Sequence, residues 1–343
     1  MTDPSSKPDP RPPVVVIAGP TAAGKTPLAI ELALRFDAEI VSADSMQVYR
    51  YLDIGTAKPS LAERGRVPHH LIDVVPPDVP YSAGRYLEDA RAAAAAVHGR
   101  GRPVLLVGGT GLYVRAMLEG LVPAGGADPE LRARLEAQDR EARAAGDPGW
   151  LHRRLAERDP ERARELHPND VVRLVRALEI FERAGGTATP RADARAAGCP
   201  YRVLHLAVDP GREALNARID ARCDAMIEAG LLNEVRELHK RGYGPTLRPL
   251  QGIGYRHMHP VVEGVDTLVN AVAGMKRDTR RFARRQRTWL RAVAGILWRE
   301  PDDVAGIVTE VERFLAESDD AGWRETPARR TGGRADRADG ARG

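Results

Sequence analysis

The chain has 343 residues, a formal net charge of +4 and two cysteines, Cys199 and Cys223. Its length accommodates one large domain or a core with a subdomain. No stretch approaches the ~18 apolar residues of a membrane-spanning helix, and the polar, proline-rich start lacks the apolar centre of a signal peptide. The cysteines are too few and too distant in sequence for a zinc site or a disulfide framework. We therefore expect a cytoplasmic protein with reduced thiols and no membrane partner.

The first predicted element is the apolar strand VVVIAG, which runs into the spacing Gly19-x-x-x-x-Gly24-Lys25-Thr26. This is the spacing of a P-loop, in which the glycines let successive backbone N–H groups face an anion at the start of a helix. Lys25 adds a positive charge, and the Thr26 hydroxyl can reach a bound Mg²⁺. Most chains with this loop use ATP or GTP, but the loop alone does not identify whose phosphate it holds.

Strands and helices then alternate, with strand patterns in AEIVSADS and PVLLVGG and an alanine-rich helix from about Leu87 to His98 between them. This alternation predicts a parallel sheet covered on both faces, with ligands at the carboxyl ends of the strands. Asp44 follows the first of these two strands, where it can act as a general base, hold a metal through water, or only cap its turn. Thr110 follows the second, which lacks the acid of an ordinary P-loop ATPase.

The composition changes from about Leu121 to a helical pattern rich in Arg, Glu, Ala and Leu. Asp128 and Pro129 are typical of a helix cap and a first helical residue. Because a strand pattern resumes at 201–209, the simplest interpretation is a helical insertion in an α/β core. The predicted division is a discontinuous core at 14–120 and 201–315, an insertion at 121–200, and disordered tails at 1–13 and 318–343.

Two later segments carry arginines suited to phosphate. Residues 214–235 read as one amphipathic helix, on which Arg218 and Arg222 can neutralise phosphate or only form surface ion pairs. Residues 275–291 carry eight basic side chains against the single acid Asp278, which favours contact with a nucleic-acid backbone over a merely solvated face.

Two glycine-containing stretches also stand out. QGIGYRHM, residues 251–258, is predicted to be a loop whose Tyr255 and Arg256 are suited to stacking on and hydrogen bonding to an unpaired base. DIGTAKP, residues 53–59, has no chemical role that its residues reveal.

Together these stretches resemble the tRNA dimethylallyltransferase family, also called tRNA isopentenyltransferases. The resemblance runs in family order from about residue 14 to 291 through GPTAAGKT, VSADSMQVYRYLDIGTAKP, LLVGGTGLYVRA, HPNDVVRLVRALEI, RID, RCDAMIEAGLLNEV, QGIGYR and RRQRTWLR. It implies a P-loop NTPase-like α/β fold, a parallel sheet flanked by helices with an all-helical insertion domain. It also implies Mg²⁺ as cofactor and a monomer that transfers a dimethylallyl group from dimethylallyl diphosphate to N6 of adenosine 37. The implied tRNAs read codons that begin with U.

The resemblance implies roles for individual residues. Asp44 would be the general base, Thr110 would contact the oxygen between prenyl carbon and phosphorus, Arg222 would bind the diphosphate, and Thr26 would lie near the metal. The implied diphosphate-binding residues are Gly19, Pro20, Thr21, Ala22, Ala23, Gly24, Lys25 and Thr26. The implied tRNA contacts are Asp44, Ser45, Met46, Gln47, Arg132, Val172, Arg173, Leu174, Val175, Arg176, Gln251, Gly252, Ile253, Gly254, Tyr255 and Arg256. The helical insertion would grip the anticodon stem-loop.

Other functions stay open at this point. A P-loop small-molecule kinase would bind ATP, and an adenylate isopentenyltransferase would prenylate free AMP, for which a large insertion is unnecessary. An RNA-binding P-loop module without chemistry is disfavoured by Asp44 and Thr110 at neighbouring strand ends. Pro27 departs from the small residue usual in the family and removes an N–H from the first helical turn.

Overall fold

The structure is a computed structural model and describes residues 9–121, 128–183, 198–320 and 322–323. The chain divides into two compact units, a larger one at Met1–Leu118 and Cys199–Gly343 and a smaller one at Glu119–Gly198. These limits lie close to the insertion boundaries expected at 121 and 200. Within the described residues, no helix has both the length and the apolar character to cross a membrane.

A parallel sheet forms the centre of the larger unit, as the sequence predicted. Its six strands lie in the order β3-β2-β4-β1-β5-β6, and every pairing is parallel. The strands are β1 Pro13–Ala18, β2 Glu39–Ser42, β3 His69–His70, β4 Val104–Gly108, β5 Arg202–Val208 and β6 Leu297–Arg299. All of β1 is buried, as expected for a valine-rich strand with a neighbour on each side and helices on both faces.

The strand order determines where the candidate site lies. β2, β4 and β1 are consecutive in the sheet, and the register pairs Ala18 with Gly108 and Ser42 with Val107. The P-loop, Asp44 and Thr110 follow these three strands directly. Because parallel strands end at the same edge, the three motifs meet there.

The helices surround this sheet or form the smaller unit. They are α1 Lys25–Arg35, α2 Leu61–Arg66, α3 Ala83–His98, α4 Gly111–Glu119, α5 Pro129–Ala144, α6 Trp150–Arg158, α7 Pro160–Glu165, α8 Val171–Arg183, α9 Arg212–Glu228, α10 Leu231–Lys240, α11 Tyr255–Val262, α12 Leu268–Arg291 and α13 Val304–Asp320. A short 3₁₀ helix covers Arg248–Gln251.

Two predicted elements are wrong in detail. The single helix expected at 214–235 is broken at Gly230, whose φ of 99° is left-handed and ends α9 before α10 begins. The loop expected at 251–258 is largely helical, because α11 starts at Tyr255 directly after Gly254 with a φ of 96°. In both cases a glycine at positive φ reorients the chain between two helical segments.

The predicted tails begin too far into the folded core. Ser318, the expected start of the C-terminal tail, is fully buried in α13, where its hydroxyl accepts a 2.6 Å hydrogen bond from Arg202 Nη1. Trp323 is also buried. At the other end Pro13 is the first residue of β1. Residues 324–343 and 1–8 of the predicted tails lie outside the described residues.

The smaller unit is helical and has its own apolar core. That core is built from α5, α6, α7 and α8 and includes Leu135, Leu151, Leu155, Leu174 and Leu178. Asp128 caps α5 as predicted, since its Oδ1 accepts from the Leu131 N–H at 2.9 Å. The sequence predicts that α8 stops at Gly185 and Gly186, and these two glycines lie outside the described residues.

Candidate active site

A cavity of about 570 Å³ opens at the carboxyl edge of the sheet and collects most predicted site residues of the larger unit. The predicted residues that line it are Thr21, Ala22, Gly24, Lys25, Thr26, Asp44, Ser45, Met46, Gln47, Thr110, Arg222, Gln251, Gly252, Ile253 and Arg256. Gly19, Pro20, Ala23, Gly254 and Tyr255 are absent from its lining. A volume of this size suits a small charged substrate together with one nucleobase.

The P-loop presents unoccupied hydrogen-bond donors. The backbone N–H groups of Ala22, Gly24, Lys25 and Thr26 have no protein acceptor among the described residues. Gly24, with a φ of 94°, precedes α1 and lets the loop turn into the helix. These donors and the positive end of the helix dipole form an anion-binding arrangement.

Two cationic side chains border this loop. Lys25 Nζ donates to the carbonyls of Gly19 and Pro20 at 3.0 and 2.8 Å. Desolvation, together with the nearby charge of Arg222, lowers the pKa of Lys25 to about 8 against an opposing effect of Asp44. Burial also lowers the pKa of Arg222. An anion at the loop would relieve the repulsion between these two cations.

Asp44 caps its turn with one carboxylate oxygen and keeps the other oxygen free of protein donors within the described part of the chain. Its Oδ1 accepts from the N–H groups of Met46 and Gln47 at 2.8 and 3.3 Å, so it caps the turn after β2. Among the described residues no protein group donates to its Oδ2, and Asp44 lines the cavity. One oxygen therefore fixes the carboxylate while the other can accept a proton.

Thr110 is held beside Asp44 by the close approach of β2 and β4. Its N–H donates to Ala43 O at 3.1 Å, and its Oγ1 accepts from the Ser45 N–H at 3.1 Å. A side chain at Gly108 would place Cβ 2.2 Å from Ala43 O, so this approach requires glycine. The sequence GGT thus positions the Thr110 hydroxyl next to the Asp44 turn.

Gln286, on α12, also lines this cavity and was not among the predicted site residues. Its Oε1 accepts from the Thr21 N–H and its Nε2 donates to Gly109 O, both at 2.9 Å. The signal available in the sequence was spacing: Gln286 falls on the same helical face as Phe282 and Trp289, where an uncharged polar residue among arginines is unexpected.

The stretch DIGTAKP is positioned by a carboxylate from α10. Glu234 accepts from the N–H groups of Asp53, Ile54 and Gly55 at 3.1, 2.7 and 3.2 Å. It also accepts from the Tyr255 hydroxyl at 2.7 Å. Tyr255 is fully buried, so the prediction that its ring stacks on an unpaired base is wrong.

The charge of the basic segment 275–291 is less unbalanced than its sequence suggests. Acids from other elements pair with it, in the ion pairs Arg280–Asp220, Lys276–Asp224 and Arg287–Asp209. Arg284, Arg285 and Arg291 are exposed and have no acidic partner within the described part of the chain. Arg277 and Arg281 are also exposed and share the single carboxylate of Asp278 with Arg256. The surface available for a polyanion is therefore these five arginines of the segment rather than the whole run.

In the smaller unit, the predicted tRNA contacts differ in accessibility. Val172 is 76% exposed, and Arg173 is exposed beside Asp170. Leu174 and Val175 are buried in the apolar core, so their side chains are not available to RNA and the prediction for these two residues is corrected.

Arg132 and Arg176 of the same set pair with the fully buried Glu179. Burial opposes ionisation of Glu179, but these arginines and the Asp128 N–H hold its pKa at about 2. Both arginines are about a third exposed and therefore neutralise the buried Glu179 from the surface of the smaller unit.

The residues around the P-loop fit a magnesium ion that takes most of its ligands from a diphosphate and water. No group of three or more His, Cys, Asp or Glu side chains could hold a metal among the described residues. Thr26 and Asp44 supply hard oxygen atoms in the cavity. Mg²⁺ characteristically uses one or two protein oxygens together with substrate phosphates.

Comparison with known proteins gives a consistent result. The family model described as IPP transferase matches residues 47–293, and that described as Isopentenyl transferase matches residues 12–68. A tRNA dimethylallyltransferase of Geobacter metallireducens is 48% identical over 303 residues, covering 88% of this chain and 97% of the relative. One of Syntrophobacter fumaroxidans is 46% identical over 302 residues, covering 88% and 87%.

Two solved structures are similar over almost the whole chain. The tRNA isopentenylpyrophosphate transferase of Bacillus halodurans has a TM-score of 0.67 and 36% identity, covering 90% of this chain and 98% of its own. A eukaryotic dimethylallyltransferase acting on tRNA has a TM-score of 0.75 and 27% identity, covering 93% and 81%.

Proposed function

Because this chain belongs to the tRNA dimethylallyltransferase family, whose members are prenyl-transferring enzymes, we propose that its P-loop binds dimethylallyl diphosphate with Mg²⁺. The dimethylallyl group is transferred to N6 of adenosine 37 in tRNAs that read codons beginning with U. We further propose that the enzyme acts as a monomer in the cytoplasm. The observation that carries the proposal is the meeting of the open P-loop donors, Lys25 and Arg222 with Asp44 and Thr110 in one cavity.

The geometry suits departure of a diphosphate. The bond between the allylic carbon and its oxygen breaks, and negative charge develops on the leaving group. The P-loop N–H groups, Lys25 and Arg222 are fixed donors and charges at the place where this charge would accumulate. The Thr110 hydroxyl, now donating to Ser45 Oγ at 3.3 Å, can turn to donate to the bridging oxygen. Mg²⁺ would add further neutralisation of the diphosphate through Thr26.

Attack by adenine requires removal of a proton. The N6 amine forms a bond to the allylic carbon and then loses a proton to the Asp44 carboxylate. Asp44 is oriented for this by its two backbone hydrogen bonds, which leave Oδ2 for the base. The adenosine must leave its stack to enter the cavity, as in other enzymes that modify a base.

The test is incubation of the protein with Mg²⁺, unmodified tRNA and radiolabelled dimethylallyl diphosphate, followed by digestion to nucleosides. Label in N6-dimethylallyladenosine is the expected result. A stem-loop with guanosine at position 37, and a tRNA that reads codons beginning with another base, are the matched controls. Consumption of γ-labelled ATP without prenyl transfer would instead indicate a kinase, and prenylation of free AMP would indicate an adenylate isopentenyltransferase.

Asp44→Asn provides the matched variant, because asparagine keeps the oxygen that caps the turn and removes the base. We expect turnover to fall about 10³-fold while tRNA affinity is retained. Unchanged turnover would exclude Asp44 as the base.

A further inference from the structure

Gln286 connects two separate parts of the candidate site through one buried amide. Only 7% of the residue is exposed. Its Oε1 accepts from the Thr21 N–H in the P-loop, and its Nε2 donates to Gly109 O after β4. The loop after β1 and the segment that carries Thr110 are therefore joined by a side chain of α12.

The two ends of this amide are not interchangeable. Thr21 offers an N–H and Gly109 offers a carbonyl, so only one orientation of the amide satisfies both. The fit is also tight, because a Cβ at Gly109 would lie 2.2 Å from Gln286 Nε2. Glycine at 109 and glutamine at 286 thus form a matched pair.

The contact also determines which P-loop donors remain for an anion. The Thr21 N–H is occupied by Gln286, whereas those of Ala22, Gly24, Lys25 and Thr26 have no protein acceptor among the described residues. Holding the first part of the loop fixes the direction of the N–H groups that follow. Preorganised donors bind a developing charge without the cost of ordering them at the moment of reaction.

We propose that Gln286 is a positioning residue for the diphosphate: it fixes the P-loop against the strand end that carries Thr110. This inference rests on the proposed function, because it takes the P-loop ligand to be the diphosphate of the prenyl donor. Gln286 does not touch the reacting atoms and acts through Thr21 and Gly109.

The first test compares Gln286→Leu with the natural protein, using binding of dimethylallyl diphosphate and of inorganic diphosphate, both with Mg²⁺. We expect each dissociation constant to rise about tenfold, the loss typical of one to two hydrogen bonds. The affinity for unmodified tRNA should change less than about twofold, since the Gln286 amide is buried and bonds only to backbone groups of Thr21 and Gly109. Val269→Ala, a substitution at an exposed position near the start of the same helix, is the control and should change neither affinity.

The second test disturbs the same contact by a substitution at Gly109, the residue after β4 that accepts from Gln286. Gly109→Ala would displace the Gln286 amide, so it should weaken diphosphate binding by a similar factor in the natural background. In a Gln286→Ala background the same substitution should cost much less, because the amide is already absent. Additive losses in this double-mutant cycle would overturn the proposal. This cycle also serves if Gln286→Leu proves too unstable to measure.

The outcomes separate this inference from the function on which it rests. If the natural protein binds no dimethylallyl diphosphate and transfers no prenyl group, the proposed function fails. If the natural protein binds and transfers, but Gln286→Leu matches it in diphosphate affinity, the positioning role alone fails. A loss of diphosphate and tRNA affinity together with a lower melting temperature would show a merely structural role and would also overturn the proposal.

Discussion

Two loops of the larger unit have inward-facing backbone N–H groups, and they differ in what fills them. At residues 53–55 three successive N–H groups bind the Glu234 carboxylate of the chain itself. In the P-loop four N–H groups have no protein acceptor among the described residues. We call residues 53–55 the closed loop, because a carboxylate of the chain itself occupies its N–H groups. We call the P-loop the open loop, because its N–H groups remain available to a ligand.

The comparison shows why a glycine-containing loop near a lysine does not by itself identify a binding site. Lys58 follows the closed loop and Lys25 the open one. The Lys58 side chain is only 2% exposed and pairs with Asp53 and Asp73. Lys25, by contrast, donates only to two backbone carbonyls among the residues that the structure describes. The acid that binds the first loop, Glu234, comes from a distant part of the sequence, and within the described part of the chain no acid accepts from the N–H groups of the second.

Removing the cation of the open loop should have the largest effect. Lys25→Gln removes a charge that the diphosphate would meet, and we expect kcat/KM for dimethylallyl diphosphate to fall about 10³-fold. Steady-state kinetics at saturating tRNA would measure this. Lys240→Gln, an exposed change on α10, is the control. A loss below about threefold would show that the open loop does not hold the leaving group.

Replacing Glu234, the carboxylate that binds the closed loop, should lower the stability of the fold more than it lowers the rate of prenyl transfer. Glu234→Gln replaces one acceptor oxygen by an amide NH₂, to which a backbone N–H cannot donate, so at least one of the four hydrogen bonds is lost. We expect the free energy of unfolding to fall by about 2 kcal/mol. Urea denaturation would measure it, with Glu237→Gln on the same helix as control. An unchanged free energy would mean that Glu234 is not what holds residues 53–55.

The sequence predicted the open loop better than the closed one, for a physical reason. The P-loop is a local pattern, so Gly24, Lys25 and Thr26 could be placed from their spacing alone. Asp44 and Thr110 could be placed beside it because each follows a predicted strand of the same parallel sheet. Glu234 and Gln286 act on partners far away in sequence, and no local pattern reveals such contacts. The same holds for the burial of Tyr255, which depends on Gly55 leaving room for its ring.

The pKa of Lys25 gives the open loop a dependence on pH. Its value of about 8 should rise when an anion binds, so binding is strongest below pH 8 and weakens as the pH rises above it. We expect the dissociation constant for dimethylallyl diphosphate to increase by up to about tenfold per pH unit between 8 and 9.5. The diphosphate is already ionised in this range.

Titration calorimetry at several pH values would measure this dependence. Lys25→Arg is the matched variant, because arginine keeps its charge throughout the range. It should bind with little dependence on pH. A natural protein with constant affinity from pH 7.5 to 9.5 would show that Lys25 is not the group that titrates.

The smallest expected effect comes from adding one backbone N–H donor to the open loop by replacing Pro27. Pro27 is the third residue of α1 and lines the cavity, so this position lacks an N–H that the first helical turn otherwise directs toward an anion. Pro27→Ala would supply it, and we expect KM for dimethylallyl diphosphate to fall about threefold, the gain from one hydrogen bond. The same change should lower the free energy of unfolding by about 0.5 kcal/mol, because proline restricts the unfolded chain. A lower stability with an unchanged KM would mean that the anion is held by the loop and the first two helical N–H groups alone.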